Sequence, residues 1–231
     1  MISAAGSVTS AIPTTSGLAD EMKQLTAALH TLAERSGVIA NILNKSVNFY
    51  SYVLYTRNLV SIYQAIESPS QSNSCNTPNI YVKPFLDERL ERSKPIIKDL
   101  DNLVGRNAWM KLPLLPATVE CTHHIDQIKR SDPAALLAHI YVRYLGDLNG
   151  GQVLQRLLKD TLHLQDECLN FYKFPEIENL KLFRINYRNA LNNVDVSTET
   201  RKTITSAAIA AFQFNIDLSI QTNEYKARHL P

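Results

Sequence analysis

The sequence predicts an all-α protein built as one domain, and three observations carry that expectation. Apolar residues recur at helical spacing along nearly the whole chain, beginning with Met22, Leu25, Leu29 and Leu32. No stretch alternates apolar and polar residues convincingly enough for a half-buried strand. Helix punctuation sits where segments begin: Asp132-Pro133 opens one, and Ser197 opens the last.

With 231 residues the chain can bury a substantial core as a single domain. Hydrophobic residues make up 45% and charged residues 20%, the balance of a globular protein. A net charge of +2 is too small to point to nucleic acid. No apolar run approaches the ~18 residues needed to span a bilayer, so a soluble, cytoplasmic chain is expected. Cys75, Cys121 and Cys168 are scattered and form no C-x-x-C pair, which argues against a zinc site or disulfide framework and for a reducing compartment. Residues 1–17 carry no charged side chain and lack the marks of a signal or transit peptide. They read as a flexible tail, with the helical domain at 18–225 and a second tail at 226–231.

In chain order, an amphipathic helix is expected over about 18–35 and a second over 46–67. The Ser-, Asn- and Pro-rich segment 68–79 reads as a loop. A helix over 84–104 follows, then a proline-led helix ending near Arg130. After the segment 132–160 come an aromatic link, a helix carrying Phe183 to Asn192, and a last helix over 197–223. The stripe of that last helix is Ile204, Ala207, Ala208, Ala211 and Phe212, continued by Asn215 and Leu218. An Asn on such a stripe needs partners, either backbone groups or ordered water.

The segment 132–160 holds Gly146, Gly150 and Gly151, three of the chain's seven glycines. Each costs roughly 1 kcal/mol in a helix interior relative to alanine, so something must offset about 3 kcal/mol. Glycine lets a helix bend, lets a neighbour pack closely, or lets a ligand lie on the main chain. Gly146 and Gly150 share a face, and Gly151 widens it. Close packing and ligand binding both explain that spacing. Arg143 and Asp147 lie one turn apart beside the patch, flanked by Tyr141 and Tyr144, which suits a flat ligand with polar chemistry at one edge.

Four histidines matter. His30 lies on the first helix, and a lone helical histidine is ordinarily structural. His139 lies seven residues before Gly146, two turns away, and from spacing alone competes with His30 as a metal ligand. His123 and His124 are adjacent, so they diverge by about 100° and read as structural. Arg184 and Arg188 are one turn apart and can reach one anion, or simply form a solvated face.

The run Tyr141-Val142-Arg143-Tyr144-Leu145-Gly146-Asp147-Leu148-Asn149-Gly150-Gly151-Gln152 resembles the distal-helix motif of the heme oxygenases, Y-T-R-Y-L-G-D-L-S-G-G-Q. It departs only at Val142 for Thr and Asn149 for Ser. Lys23 to Glu34 resembles the family's proximal helix, K-x-x-T-x-x-x-H-T-x-A-E, and Leu59 to Glu67 resembles L-Y-x-x-Y-x-A-L-E with Val60 for the first Tyr. Phe171 to Pro175 and Phe183 to Asn192 are similar to two further motifs, F-F-x-F-P and F-K-x-x-Y-R-x-x-x-N, with Arg184 for Lys.

The resemblance covers roughly 23–218 and implies an all-helical fold in which proximal and distal helices sandwich heme b. It implies His30 as iron ligand, with Glu34 as our candidate to orient its other ring nitrogen. It implies a water network of Asp147, Tyr63, Arg143, Tyr144 and Asn215 beside Gly146 and Gly150. Lys23, Arg184, Arg188 and Tyr141 would hold the propionates, with Gly151 and Phe212 at the heme surface. The implied reaction is cleavage at the α-meso carbon to biliverdin, carbon monoxide and ferrous iron, using O2. Electrons would come from a cytochrome P450-type reductase fed by NADPH or from a ferredoxin, because the chain has no G-x-G-x-x-G motif. Biliverdin reductase is a further expected partner. Some family members carry a C-terminal membrane anchor, so membrane association is a second expectation for localisation. Two other classes compete: a heme storage, carrier or sensor protein, and a cofactor-free helical interaction domain.

Overall fold

The computed structural model describes residues 16–68 and 80–225. Most of both expected tails, the loop 69–79 and Cys75 lie outside that range. Among the described residues the regular structure is helical, as the periodicity predicts.

Two long helices organise the rest. α4 (Phe49–Glu67) starts where the Asn48 side chain accepts from the Ser51 amide at 2.9 Å. It buries side chains nearly all round, including Tyr52, Leu54, Ile62 and Tyr63. Full burial of each such apolar side chain contributes about 1.5–3 kcal/mol, so α4 sits where the core is thickest. α10 (Thr198–Glu224) starts at the expected Ser197 cap, whose oxygen accepts from the Thr200 amide. Its buried stripe runs from Ile204 through Ala208 to Leu218. The small alanines let α3 (Gly37–Leu43), α6 (Pro116–Ser131) and α7 (Leu136–Ile140) pack along it. α5 (Ser93–Val104) packs on α4.

The first helix differs from expectation. It breaks at Thr26 into α1 (Leu18–Leu25) and α2 (Ala27–Glu34). The Thr26 hydroxyl bonds back to the Met22 carbonyl at 2.7 Å, and its backbone leaves helical geometry at φ −103°, ψ 5°. The apolar stripe is split in consequence. Met22 is buried, whereas Leu25 and Leu32 are 50% and 47% exposed and α2 buries no residue. α3 was not expected. Gly37, at φ +53°, turns the chain into it, and a β-carbon there would stand 2.1 Å from the Ser219 carbonyl oxygen. The Ser219 hydroxyl donates to the Ser36 carbonyl at 2.9 Å and accepts from the Ile39 amide, docking this corner on α10.

Two boundaries also move. The segment from Lys83 to Leu90 forms short 3-10 turns, one capped by Asp87, and α5 starts only at Ser93. Asp132 was expected to cap the central helix, but its side chain makes no capping bond and the chain enters through a 3-10 turn at Pro133–Ala135. Beyond α7 the central helix continues as a π-helix over Tyr141–Leu145 and then as α8 (Gly146–Leu162). α9 (Leu180–Asn192), capped by Asn179, completes the domain.

Candidate active site

The π turn is the local feature from which the site grows. It places Val142, Arg143, Tyr144 and Leu145 in the interior and hands over to α8 at Gly146. Gly146 is exposed and Gly150 half-buried. A β-carbon built on either meets nothing within 4 Å, whereas one on Gly151 would lie 3.6 Å from Tyr172 Cδ1. Close helix packing therefore does not explain Gly146 and Gly150. Their main chain faces open space.

A second wall stands nearby. Val142, Ala211 and Phe212 form a small apolar cluster separate from the main core, with Leu29 and Tyr141 against it. The His30 ring lies 5.9 Å from the Phe212 ring, so α2, α10 and the π turn converge there. His30 Nδ1 is 3.6 Å from Glu34 Oε1, an ion-pair spacing too long for a hydrogen bond, and both side chains are exposed.

Behind the glycines lies a buried polar cluster. The Tyr63 hydroxyl donates to Asp147 Oδ2 at 2.5 Å. Burial pushes the Asp147 carboxyl up to about 6, against the opposing pull of the Tyr63 bond and of Arg143 and Arg92. Burial and the Asp147 charge raise Tyr63 well above the ordinary phenol range, which keeps it a donor. The Arg143 guanidinium lies 5.8 Å from the Tyr63 ring centre, and its buried Nη2 has no hydrogen-bond partner among the described residues. Tyr144 stacks on Tyr63 at 6.2 Å and donates to Glu67 Oε1 at 3.4 Å. The π turn thus joins an apolar wall that also meets the His30 ring to a bare backbone patch with a polar cluster beside it.

The sequence profile described as heme oxygenase matches residues 16–221. The chain belongs to the heme oxygenase family. A heme oxygenase of Takifugu rubripes is 34% identical over 202 residues, spanning 87% of this chain and 72% of the relative. One from Porphyra purpurea is 33% identical over 209 residues, spanning 90% and 87%. The crystal structure of heme oxygenase-1 from the cyanobacterium Synechocystis in complex with heme superposes with a TM-score of 0.80 at 29% identity, covering 88% of this chain and 90% of that one. The all-helical fold, the enzyme class and the heme-degrading activity expected from the sequence stand.

The remaining heme oxygenase positions divide. Arg188 pairs with Asp20, which also takes a bond from Asn192 Nδ2 at 3.1 Å. Arg184 Nη1 instead approaches the Leu148 carbonyl at 3.4 Å. The two arginines thus reach different partners, contrary to a single shared anion contact, because α9 presents one toward α1 and the other toward α8. Lys23 is exposed. Burial raises the Tyr141 phenol, with Arg188 and Asp20 both in its field. Asn215 is half-buried on α10, and no direct bond joins it to Asp147.

His139 is excluded as a rival ligand. It is 1% exposed, contacts His124 at 3.3 Å, and is pushed down to about 3 by burial, by His124 and by Arg143. The π turn between His139 and Gly146 winds more residues into each turn than an α-helix, so the α-helical phase that aligned them is lost. His124 is structural, as expected, with its ring 5.3 Å from Phe214. Sequence reasoning missed Glu67, Arg92 and Asp20 as partners of site residues. Glu67 had one available signal, its position one turn after Tyr63 on α4.

Proposed function

We propose that the domain at 18–225 binds heme b in the opening between α2 and the π turn with α8, and oxidises it at the α-meso carbon to biliverdin, carbon monoxide and ferrous iron. The observation that carries this reading is the open main chain of Gly146 and Gly150 in front of the bond between the buried Tyr63 and the half-buried Asp147. The residues suit the group on further counts. Val142, Ala211 and Phe212 supply an apolar wall apart from the core. Arg143 Nη2 is a buried donor awaiting an acceptor.

His30 is the iron ligand in this reading, an exposed imidazole on the helix that buries nothing. Bound heme supplies the iron that binds O2 and the macrocycle that is oxidised. Asp147 holds and releases a proton on the opposite wall, acting through water with Tyr63, Arg143, Tyr144 and Asn215. Its position near half-ionisation at about pH 6 suits a group that both accepts and returns protons. Gly146 and Gly150 keep side chains out of the way, and Gly151 and Phe212 complete the surface. Lys23, Tyr141, Arg184 and Arg188 would hold the propionates, Arg188 in exchange for its pairing with Asp20, and so would fix how the group lies in the site. Electrons come from an external NADPH-dependent reductase or a ferredoxin.

One experiment tests the reading. Protein with one equivalent of hemin, given ascorbate in air with catalase present, should lose its Soret band as biliverdin absorption grows. A persistent Soret band would leave a storage or carrier role, and no shift on adding hemin would defeat both.

The glycines give a separate test. Gly150→Ala should stabilise the heme-free protein by about 0.5–1 kcal/mol, because the helix gains alanine without a clash. The same methyl group should weaken hemin binding or slow turnover by about fivefold or more, an order set by one intruding methylene. Urea denaturation and hemin titration read the two effects. A destabilised variant with unchanged hemin affinity would return Gly150 to a packing role.

A further inference from the structure

A carboxylate of the chain already stands on one of the arginines assigned to the propionates. Asp20 lies in the first turn of α1, and its Oδ1 accepts from Arg188 Nη2 on α9. The pair is open to solvent, with the Arg188 and Asp20 side chains 42% and 39% exposed. Tyr141 lies in the field of both and packs on the apolar cluster of Val142, Ala211 and Phe212, which puts the pair at the edge of the site. Lys23, one turn further along α1, is exposed as well.

We infer that Asp20 is an internal competitor for the propionates: it pairs with Arg188 whenever no propionate does, lowers the affinity for the porphyrin's carboxylates and speeds the departure of the product. This rests on the proposed function, in which Arg188 holds a propionate. A propionate reaching Arg188 must displace Asp20 or share the guanidinium with it. Either course weakens binding, because the arriving anion meets a cation that is already paired. Opening the macrocycle at a meso carbon leaves the propionates unchanged, so biliverdin carries the same two groups and faces the same competitor. The exchange swaps one ion pair for another, with no covalent step.

The surroundings hold Asp20 in place for this role. Its amide donates to Asn192 Oδ1 at 3.0 Å, and Asn192 Nδ2 donates to Asp20 Oδ2 at 3.1 Å. This reciprocal pair of bonds fixes the carboxylate against α9. Gly17 lets α1 start so close, since a β-carbon there would stand 2.4 Å from the Asn192 β-carbon. The neighbouring Glu21 pairs with Arg201 at 2.9 Å, which ties the same turn to α10. Asp20 is therefore held beside Arg188 and cannot swing far when a second anion arrives. A tie between α1 and α9 needs only the Asn192 bonds, and a neutral amide at position 20 would keep an acceptor for Asn192 Nδ2. The negative charge is surplus to that tie, and it falls on the Arg188 guanidinium.

Asp20→Asn separates the charge from the tie. Titration should find hemin and biliverdin each bound about three- to fivefold tighter than by the wild type, the scale of one partly exposed ion pair. Stopped-flow displacement should find biliverdin leaving more slowly by about the same factor. Hemin dimethyl ester, whose propionates carry no charge, should bind both proteins within about twofold of each other. Salt at about 1 M should erase the difference seen with hemin. In an Arg188→Gln background, Asp20→Asn should change hemin affinity by less than about twofold. If Asp20→Asn fails to fold, Asp20→Ser, which also lacks the charge, is judged by the same outcomes. Unchanged or weaker hemin binding in the folded variant would overturn the proposal and make Asp20 a residue that orients Arg188. Equal tightening of the ester would overturn it as well. Wild-type protein that gives no Soret shift with hemin would defeat the proposed function and this inference together, whereas hemin bound by the wild type with no gain in the variant defeats the inference alone.

Discussion

Asp147→Asn is expected to lower the rate of heme loss by about a hundredfold or more, the usual scale for removing a positioned acid–base group. Hemin binding should survive, because Asn keeps the volume and an oxygen to accept from Tyr63. Stability should move the other way. The folded protein holds the Asp147 carboxyl at about 6, above its ordinary value of 3.8. The fold therefore binds this proton more tightly than the unfolded chain does. That contribution is present in full below pH 3.8 and is lost as pH rises through about 6. At pH 8 the wild type thus carries an ionised, half-buried carboxylate that costs on the order of 2 kcal/mol, and Asn removes that cost. Urea denaturation at pH 8 should find the variant more stable, with the gap shrinking as pH falls toward 4. Undiminished turnover would remove Asp147 from the mechanism. Lower stability at pH 8 would mean that its bonds outweigh its burial.

The second large effect separates two histidines. His30→Ala should abolish the ferrous spectrum of imidazole-bound heme and lower turnover by about a hundredfold or more, since the nucleus of the site is its iron ligand. His139→Ala should keep that spectrum. It should instead lose about 1–3 kcal/mol of stability, because it opens a cavity beside α6 and removes the contact with His124. Acid sensitivity gives an added readout. His139 is held down to about 3, below its ordinary 6.5, so it stabilises the fold above pH 6.5 and loses that contribution as pH falls toward 3. Removing it should flatten the stability profile between pH 7.5 and 5. A ferrous spectrum altered in the His139 variant and intact in the His30 variant would reverse the assignment.

Much of this protein was legible in its residues. The helical repeat of Ile204, Ala207, Ala208 and Ala211 places one face of α10 in the core, and burial agrees. The glycine trio, too costly for an ordinary helix, marked the site. Packing and ligand binding stayed open there because both call for a missing side chain. Only the empty space around built β-carbons at Gly146 and Gly150 separates them. The split at Thr26 was hidden for a similar reason. Periodicity counts Leu25 and Leu32 as core, but a back-bonded threonine turns the helix so that they stay exposed.

What the sequence by itself determined is the all-helical class and most of its helical segments, though not the break at Thr26 or α3, together with the glycine-bearing element and the chemistry of its borders, since these depend on spacing within single segments. Contacts between segments were decided by the tertiary structure. The π turn set the phase between His139 and Gly146, and the docking of α9 sent Arg188 to Asp20 and Arg184 to Leu148. The meeting of α4, α5 and the π turn made Glu67 a partner of Tyr144. Such pairings depend on where chain-distant elements come to rest, and a one-dimensional repeat carries no record of that.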